Sequence, residues 1–382
     1  MGYSNFPVVD GLIKAISFNN NNQNQSSYNN NNQNQSSYNN NNQNQSSYNN
    51  NKQNQSSYNN NNQNQNKQVT IKEQEKFDPL GEKIDLSNPF KELNILSKKI
   101  LFLKDGKILL SDSTGEFYLY NDLNFENPYI AKIFEKFPQD IVELSDGSIA
   151  GCSNDKTMKI FRFQNNTHKI LVEYQDDEEI WALTTIKGSD NLVFGDLKGV
   201  LYFFPKSKDG YSPGKKLKIA KATILNILSL SENILLVVIM NIGLYFYDIN
   251  TNTVFKTIKH AYFNPFKDSI KIISDHELLI GAEEYIFLID YKKYLTLSHF
   301  MNDNSYSICK YSEDCLLCNY RDGFIKTYKM IRKNGKLEFE YKNKLKIHNK
   351  QIVGMVQCPD GKFITYSMDE CLKIWKTKNI SK

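Results

Sequence analysis

Proline and glycine are scarce in this chain, 9 and 18 among 382 residues, and cysteine occurs only six times. Six cysteines at this length, behind an opening MGYSNFPVVDGLIKAISF with neither a basic leader nor a small-residue cleavage site, imply reduced thiols. The expected compartment is the cytoplasm, with the nucleus as the alternative. No long hydrophobic run is present: the most apolar stretch, Ile224 to Phe246, is cut by Ser229, Ser231, Glu232, Asn233, Asn241 and Gly243, so it reads as two strands and not as a membrane span. Lipidation is not expected either, because Phe6 stands where a myristoylation signal after Met1-Gly2 carries Ser or Thr. Neither charge dominates: 47 basic against 42 acidic residues leave a net charge of +5, which makes no case for nucleic acid.

Chemical signatures are missing as well. There is no glycine-rich phosphate loop, no Gly-x-Ser-x-Gly elbow and no His-Glu-x-x-His helix. The five histidines, His168, His260, His276, His299 and His348, are scattered. Cys315 and Cys318 form a C-x-x-C with Cys309 upstream, but residues three apart on a strand point to opposite faces and grip one metal poorly. No catalytic residue, metal or cofactor is therefore assigned.

What is present divides the chain into four parts. Residues 1–18 form a short apolar segment in which Phe6, Val9, Leu12, Ile13 and Ile16 fall at helical spacing. A poorly ordered terminus is the preferred reading, a partner-docked helix the alternative. Residues 19–68 repeat the decapeptide NNNNQNQSSY, with Tyr28, Tyr38, Tyr48 and Tyr58 ten apart. This low-complexity stretch cannot bury enough apolar surface to offset chain entropy and is expected to be disordered, with self-association through its Asn/Gln tracts as a further possibility. Residues 69–89 read as a charged linker punctuated by Pro79, Gly81 and Pro89.

From residue 90 to 382 a pattern of about forty residues recurs. Strand-like runs end in Tyr120, Phe161, Phe204, Tyr247, Ile289, Tyr328 and Trp375, at spacings of 41, 43, 43, 42, 39 and 47. Turn signals repeat in phase: Asp105-Gly106, Asp146-Gly147, Asp190-Asn191, Glu232-Asn233, His276-Glu277, Asp314-Cys315 and Asp360-Gly361. A period near this value marks propeller blades of four strands. The last repeat lacks a fourth strand, whereas Lys91 to Leu96 is a spare strand before the first, so the two ends are expected to close the ring and cover the open edge. The fold class is all-β: a seven-bladed β-propeller of four-stranded antiparallel blades, closed by an N-terminal strand and preceded by the disordered Asn/Gln-rich region.

The stretch Lys344 to Lys376 holds His348 before its first strand, Thr365 in its second, Asp369 in a turn and Trp375 at the end of its third. A buried Trp needs an acceptor for its indole N–H, and an Asp in a turn can orient a His whose other nitrogen reaches a hydroxyl. In residue type, order and spacing this resembles the structural tetrad of a WD-repeat blade. Other repeats depart from it: Asp155 and Asp322 hold the turn position of theirs, but Gly151 and Cys318 replace the hydroxyl, and Phe161 and Tyr328 replace Trp. Packing between sheets is expected to hold those blades together.

Two stretches stand out on the face expected to carry the inter-blade loops. Tyr174 to Trp181 contains Asp176, Asp177, Glu178 and Glu179 beside Trp181, an acidic rim next to an aromatic anchor that suits a basic peptide; a solvated loop and a packed Trp are the plain alternative. Lys259 to Lys267 carries Tyr262, Phe263 and Phe266, a docking patch if exposed and a cap on the core if folded back. The basic run Lys206, Lys208, Lys215, Lys216 and Lys218 reads as a solvated hairpin on the opposite face. The resemblance implies a non-catalytic scaffold or adaptor that binds peptides or protein domains, without nucleic acid or membrane. A propeller hydrolase or lyase, and a protein that assembles through residues 19–68, are the alternatives.

Overall fold

The structure, a computed structural model, describes residues 86, 88–260, 265, 269–282, 285–301, 307–320 and 322–376. The expectations for residues 1–18, for the repeats in 19–68 and for the linker up to residue 85 lie outside them. The described strands form seven four-stranded antiparallel sheets and one small two-stranded hairpin. Within the described residues no helix is long and apolar enough to cross a membrane.

In six of the sheets the strands run outward in chain order. Blade 1 comprises Ser97–Phe102, Ile108–Asp112, Glu116–Tyr120 and Tyr129–Lys132. Blade 2 comprises Pro138–Glu143, Ile149–Ser153, Thr157–Gln164 and Thr167–Gln175. Blade 3 comprises Ile180–Thr185, Leu192–Asp196, Val200–Phe204 and Lys216–Lys218, with the hairpin Lys206–Ser207 and Gly210–Tyr211 inserted before its outer strand. Blade 4 comprises Ile224–Ser229, Ile234–Ile239, Gly243–Asp248 and Thr253–Lys259. Blade 5 comprises Ile270–Ile272, Glu277–Gly281, Tyr285–Asp290 and Leu295–Met301. Blade 6 comprises Ile308–Ser312, Cys315–Asn319, Phe324–Lys333 and Lys336–Lys346. Blade 7 takes Ile352–Gln357, Phe363–Ser367 and Leu372–Trp375 from the end of the chain.

The fourth strand of blade 7 comes from before blade 1. Lys91–Leu93 pairs with Leu372–Trp375, Lys91 opposite Ile374 and Leu93 opposite Leu372, so both ends of the described fold meet in one sheet. The pairing strand is shorter than the sequence indicates, ending at Leu93. Phe90 extends it by donating its N–H to the Ile374 carbonyl at 2.7 Å, and Glu92 forms an ion pair with Lys373 at 3.1 Å. Leu86, assigned to the linker by composition, is half-buried against the core between blades 6 and 7.

The ring is held by seven apolar cores, one in each seam between neighbouring blades, including the seam from blade 7 to blade 1. The seven residues that set the repeat phase supply their keystones. Tyr120, Phe161, Phe204, Tyr247, Ile289, Tyr328 and Trp375 each pair across the sheet with one of the first two residues of the blade's second strand. Each then packs into the seam with the preceding blade. Complete burial of one such side chain stabilises by about 1.5–3 kcal/mol. On the face of the first turns, polar stitches add to the seams: Lys104 N–H donates to the Glu143 carboxylate at 3.0 Å, Ser145 N–H to Asp190 Oδ1 at 2.9 Å and Lys187 N–H to Ser229 Oγ at 2.9 Å. In each, a turn of one blade is capped by a side chain of the next.

Blade 7 contains a buried polar chain. Trp375 Nε1–H donates to Thr365 Oγ1 at 3.0 Å, and the Thr365 hydroxyl lies 2.8 Å from His348 Nε2. His348 Nδ1 is 3.1 Å from Asp369 Oδ2, which also accepts the Asn349 N–H at 2.9 Å. Because Thr365 accepts from the indole, its own proton goes to Nε2, and the histidine proton is assigned to Nδ1, facing the carboxylate. Burial pushes the His348 pKa below its usual value, against the pull of Asp369. Burial alone raises that of Asp369, but the Asn349 N–H and His348 outweigh it and the net shift is downward.

Blade 2 fills the same positions differently. Backbone bonds Asn154 N to Phe137 O and Met368 N to Gln351 O align the two blades, so Phe134 takes the place of His348 and Gly151 that of Thr365. Phe117, Phe134 and Phe161 meet with ring centroids 5.3 to 6.4 Å apart, two of the three contacts edge-on. A Cβ on Gly151 would stand 3.1 Å from the Phe134 ring, so the missing side chain makes room for the aromatic one. Asp155 keeps only the capping part of the turn role, accepting the Glu135 N–H at 2.8 Å and the Thr157 N–H at 2.9 Å. In blades 1 and 3 the carboxylate has moved to the last position of the second strand: Asp112 accepts from the N–H groups of Thr114, Gly115 and Glu116, and Asp196 from those of Lys198 and Val200.

Two expected outcomes test this account. Phe161→Ala leaves a cavity in the seam of blades 1 and 2 and should lower unfolding free energy by about 3–5 kcal/mol in denaturant titration. Acidification probes blade 7: a histidine held neutral in the fold binds its proton more readily when unfolded, so its contribution is complete above about pH 6.5 and is lost as pH falls through the lowered folded value. The drop in denaturation midpoint between about pH 7.5 and 5.5 should be smaller in His348→Asn than in the wild-type chain. Identical pH slopes would contradict the assigned protonation.

Candidate functional site

One face of the ring gathers the inter-blade loops and the turns between second and third strands, and the backbone bonds that join them recur. Phe137, Glu179, Thr223, Ser307 and Gln351, each at or next to the start of an inner strand, accept from Asn154, Leu197, Met240, Asn319 and Met368 respectively. Five inner strands carry one extra residue opposite their partner strand, four of them (in blades 2, 3, 4 and 7) beside this contact. The shifts fall between Ser97 and Lys99, Pro138 and Asp140, Ile180 and Ala182, Ile224 and Asn226, and Ile352 and Gly354. A bulge re-aims the side chain it adds. Gln139, Trp181, Leu225 and Val353 occupy such positions and all four are half-buried. This recurrence is invisible in the sequence, since the added residue has no fixed type.

The acidic loop lies on this face between blades 2 and 3, and the structure separates its four carboxylates. Asp176 is not on the rim. It sits three residues before Glu179, as His348 sits three before Gln351, and thus fills in blade 3 the buried slot that His348 fills in blade 7. Its side chain is 2 % exposed. Oδ1 accepts the Asp177 N–H at 2.8 Å and Lys216 Nζ at 3.3 Å. Burial lowers the Lys216 pKa, but the Asp176 charge and hydrogen bond outweigh it and raise the net value. Burial, aided by the carboxylates of Asp176 and Asp196, holds the Tyr202 phenol well above its ordinary value.

The accessible part is therefore smaller than the sequence indicates. Asp177 is exposed, with its carbonyl accepting from Lys156 Nζ at 2.6 Å. Glu178 is half-buried and stands 3.8 Å from Lys198 Nζ, a distance at which a surface pair is worth about 0–1 kcal/mol. Glu179 accepts the Trp181 indole N–H at 3.1 Å and so holds the ring beside the acidic turn. The loop is fixed at both ends, by Asp176 in the core and by Trp181 on the inner strand.

The basic run also divides. Lys206, on the inserted hairpin, pairs with Asp190 at 2.8 Å and hydrogen-bonds through its N–H to Asn191 near the first turn, on the face opposite the acidic loop. Lys216 and Lys218 belong instead to the outer strand and reach the acidic-loop face, at Asp176 and at the Lys198 carbonyl. Sequence proximity groups these lysines, but alternation along the strand and the hairpin insertion separate them. Tyr262, Phe263 and Phe266 lie outside the described residues.

Cys309 and Cys315 pack in the seam of blades 6 and 7 and Cys318 in that of blades 5 and 6. Among the described residues no group of three His, Cys, Asp or Glu side chains is arranged to hold a metal.

Comparison with known proteins places the chain by its fold. No family model matches it, and no curated protein does. A solved structure titled "Crystal Structure of Mitotic Checkpoint Complex" is similar to it with a TM-score of 0.60 at 12 % sequence identity, over 76 % of this chain and 95 % of that one. At such identity the likeness is one of fold: this chain is built as a seven-bladed β-propeller.

Proposed function

We propose that the chain is a non-catalytic scaffold of the WD-repeat-like kind, which captures a basic peptide or a basic protein segment on the face of its inter-blade loops. The observation that carries this reading is the pre-set geometry of the loop between blades 2 and 3. Asp176 anchors it from the core, Glu179 fixes the Trp181 ring, and beside that ring Asp177 is exposed and Glu178 half-buried next to Lys198. A half-exposed aromatic next to fixed carboxylates provides apolar contact area and charge complementarity together, and a rigid loop loses little entropy when a partner binds. The blade 7 polar chain and the likeness of fold support the family reading.

The test uses the full chain as bait in affinity capture with mass spectrometry, because no partner is specified by the fold. Asp177→Lys combined with Glu178→Lys should reduce the recovered partners by about tenfold or more, equivalent to about 1.4 kcal/mol, with an unchanged melting transition, and Trp181→Ala should reduce them to a similar extent. Asp176→Lys should instead lower the melting temperature, since it places a second cation against Lys216 in a buried slot. Equal recovery by wild type and the two surface variants would remove this loop from consideration.

A further inference from the structure

We infer that the outer edge of blade 5 pairs with the same edge of a second copy of this chain, so that two rings join rim to rim about a two-fold axis. This contact is separate from the capture of a basic partner and uses no residue of the acidic loop. Each blade ends in an outer strand that is paired on one side only. The free side offers backbone N–H and C=O groups to any passing strand, and folded proteins commonly guard it with charged side chains, lysine above all. Among the described residues six of the seven outer strands carry lysine: Tyr129–Lys132, Thr167–Gln175, Lys216–Lys218, Thr253–Lys259, Lys336–Lys346 and Lys91–Leu93. The outer strand of blade 5, Leu295–Met301, reads Leu-Thr-Leu-Ser-His-Phe-Met and carries no lysine, arginine or carboxylate.

This edge is also apolar. Leu297 is an added residue, standing between Thr296 opposite Ile289 and Ser298 opposite Leu288. Such a bulge re-aims the side chain it adds. Leu297 is 43 % exposed and Leu295 40 %. Beyond the bulge, Ser298 to Met301 keep a regular register with Leu288 to Tyr285, which leaves a straight edge of four residues. On the adjoining rim of blade 4 the outer strand has an added residue of its own, Phe255, which is 44 % exposed. Tyr294, just before the blade 5 strand, joins the two rims: its ring stands edge-on, 5.0 Å from Phe255 and 4.9 Å from the buried Phe246. The apolar surface thus runs from blade 4 to blade 5 and rests on the core of their seam, to which Phe246 and Tyr294 belong.

Charge selects the occupant. A two-fold axis between two strands runs them antiparallel and sets each residue against one of the same short sequence. Applied to blade 3 it places Lys216 against Lys218, and like charges directly opposed destabilise a sheet. Applied to Leu295–Met301 it opposes no charges at neutral pH, whatever the register. Joined to an outer strand of any other blade, the blade 5 strand would bring lysine against its leucines and strip part of the ammonium hydration. The strand in this chain that matches it is its own copy. The neighbouring cations are already engaged, Lys292 with Asp275 at 3.1 Å and Lys293 with Asp290 at 3.6 Å, so little repulsion opposes the approach. A stable interface covers about 800 Å² on each partner, more than one edge strand supplies, and Phe255 and Tyr294 extend it onto blade 4. Because the contact uses the same edge on both copies, assembly through it stops at two.

Sedimentation velocity of the full chain over a concentration series reads the assembly directly, and a monomer–dimer equilibrium is expected. Leu295→Lys with Leu297→Lys should weaken the dimer by about tenfold or more, whereas Ile130→Lys, an equally exposed position on the blade 1 outer strand, should leave it unchanged. If the double variant does not fold, Leu297→Lys alone carries the same expectation. Amide hydrogen exchange in Leu295–Met301 should slow as the wild-type concentration rises and stay constant in the lysine variant. A chain that remains monomeric at every concentration would overturn the inference. So would a dimer indifferent to the blade 5 substitutions, or larger assemblies that persist in the lysine variant and thus form through the Asn/Gln repeats.

Discussion

The fold depends on one packing constraint: a bulky side chain near the end of each blade's third strand must enter the seam with the preceding blade. When every blade obeys this rule, the sheets are spaced evenly about an axis and each buries its inner face on one neighbour and its outer face on the other. No single blade has to be stable alone, because a four-stranded sheet of this size gains most of its burial from its two seams. The identity of the keystone can therefore vary from Trp375 through Phe161 to Ile289 while its position does not.

Polar networks are subordinate to that constraint. The complete Trp375, Thr365, His348 and Asp369 chain stands in the blade whose outer strand is only three residues long and arrives from the other end of the fold. A fully satisfied buried network fixes geometry more sharply than apolar contact does, since each misplaced member leaves a costly unpaired group. In blade 2, where the chain runs on without a break, three phenylalanine rings and an absent side chain at Gly151 do the same spacing with no polar atoms. In blade 3 the histidine slot passes to Asp176, and Lys216 comes from the outer strand to neutralise it. The acidity of this loop is thus in part a core exchange.

The acidic surface follows from this exchange: it is a loop clamped between a buried carboxylate and an indole. The uncharged rim of blade 5 follows from its outer strand, which lacks the lysines that its neighbours in the ring carry.

Sequence periodicity by itself determined the number of blades, the phase of each keystone and the exchange of strands at the ends, because these follow from a repeat near forty residues and from counting strands. The residue types at His348, Thr365, Asp369 and Trp375 likewise pointed to a hydrogen-bonded set. Burial within a loop was not legible: Asp176 and Asp177 are identical neighbours, yet backbone pairing to adjacent turns sends one into the core and leaves the other in solvent. Nor were the bulges at Trp181 and its equivalents, or the meeting of Phe255 with Tyr294 at the rim. These depend on cross-strand register, which brings together residues far apart in the chain and which no local pattern of residue types records.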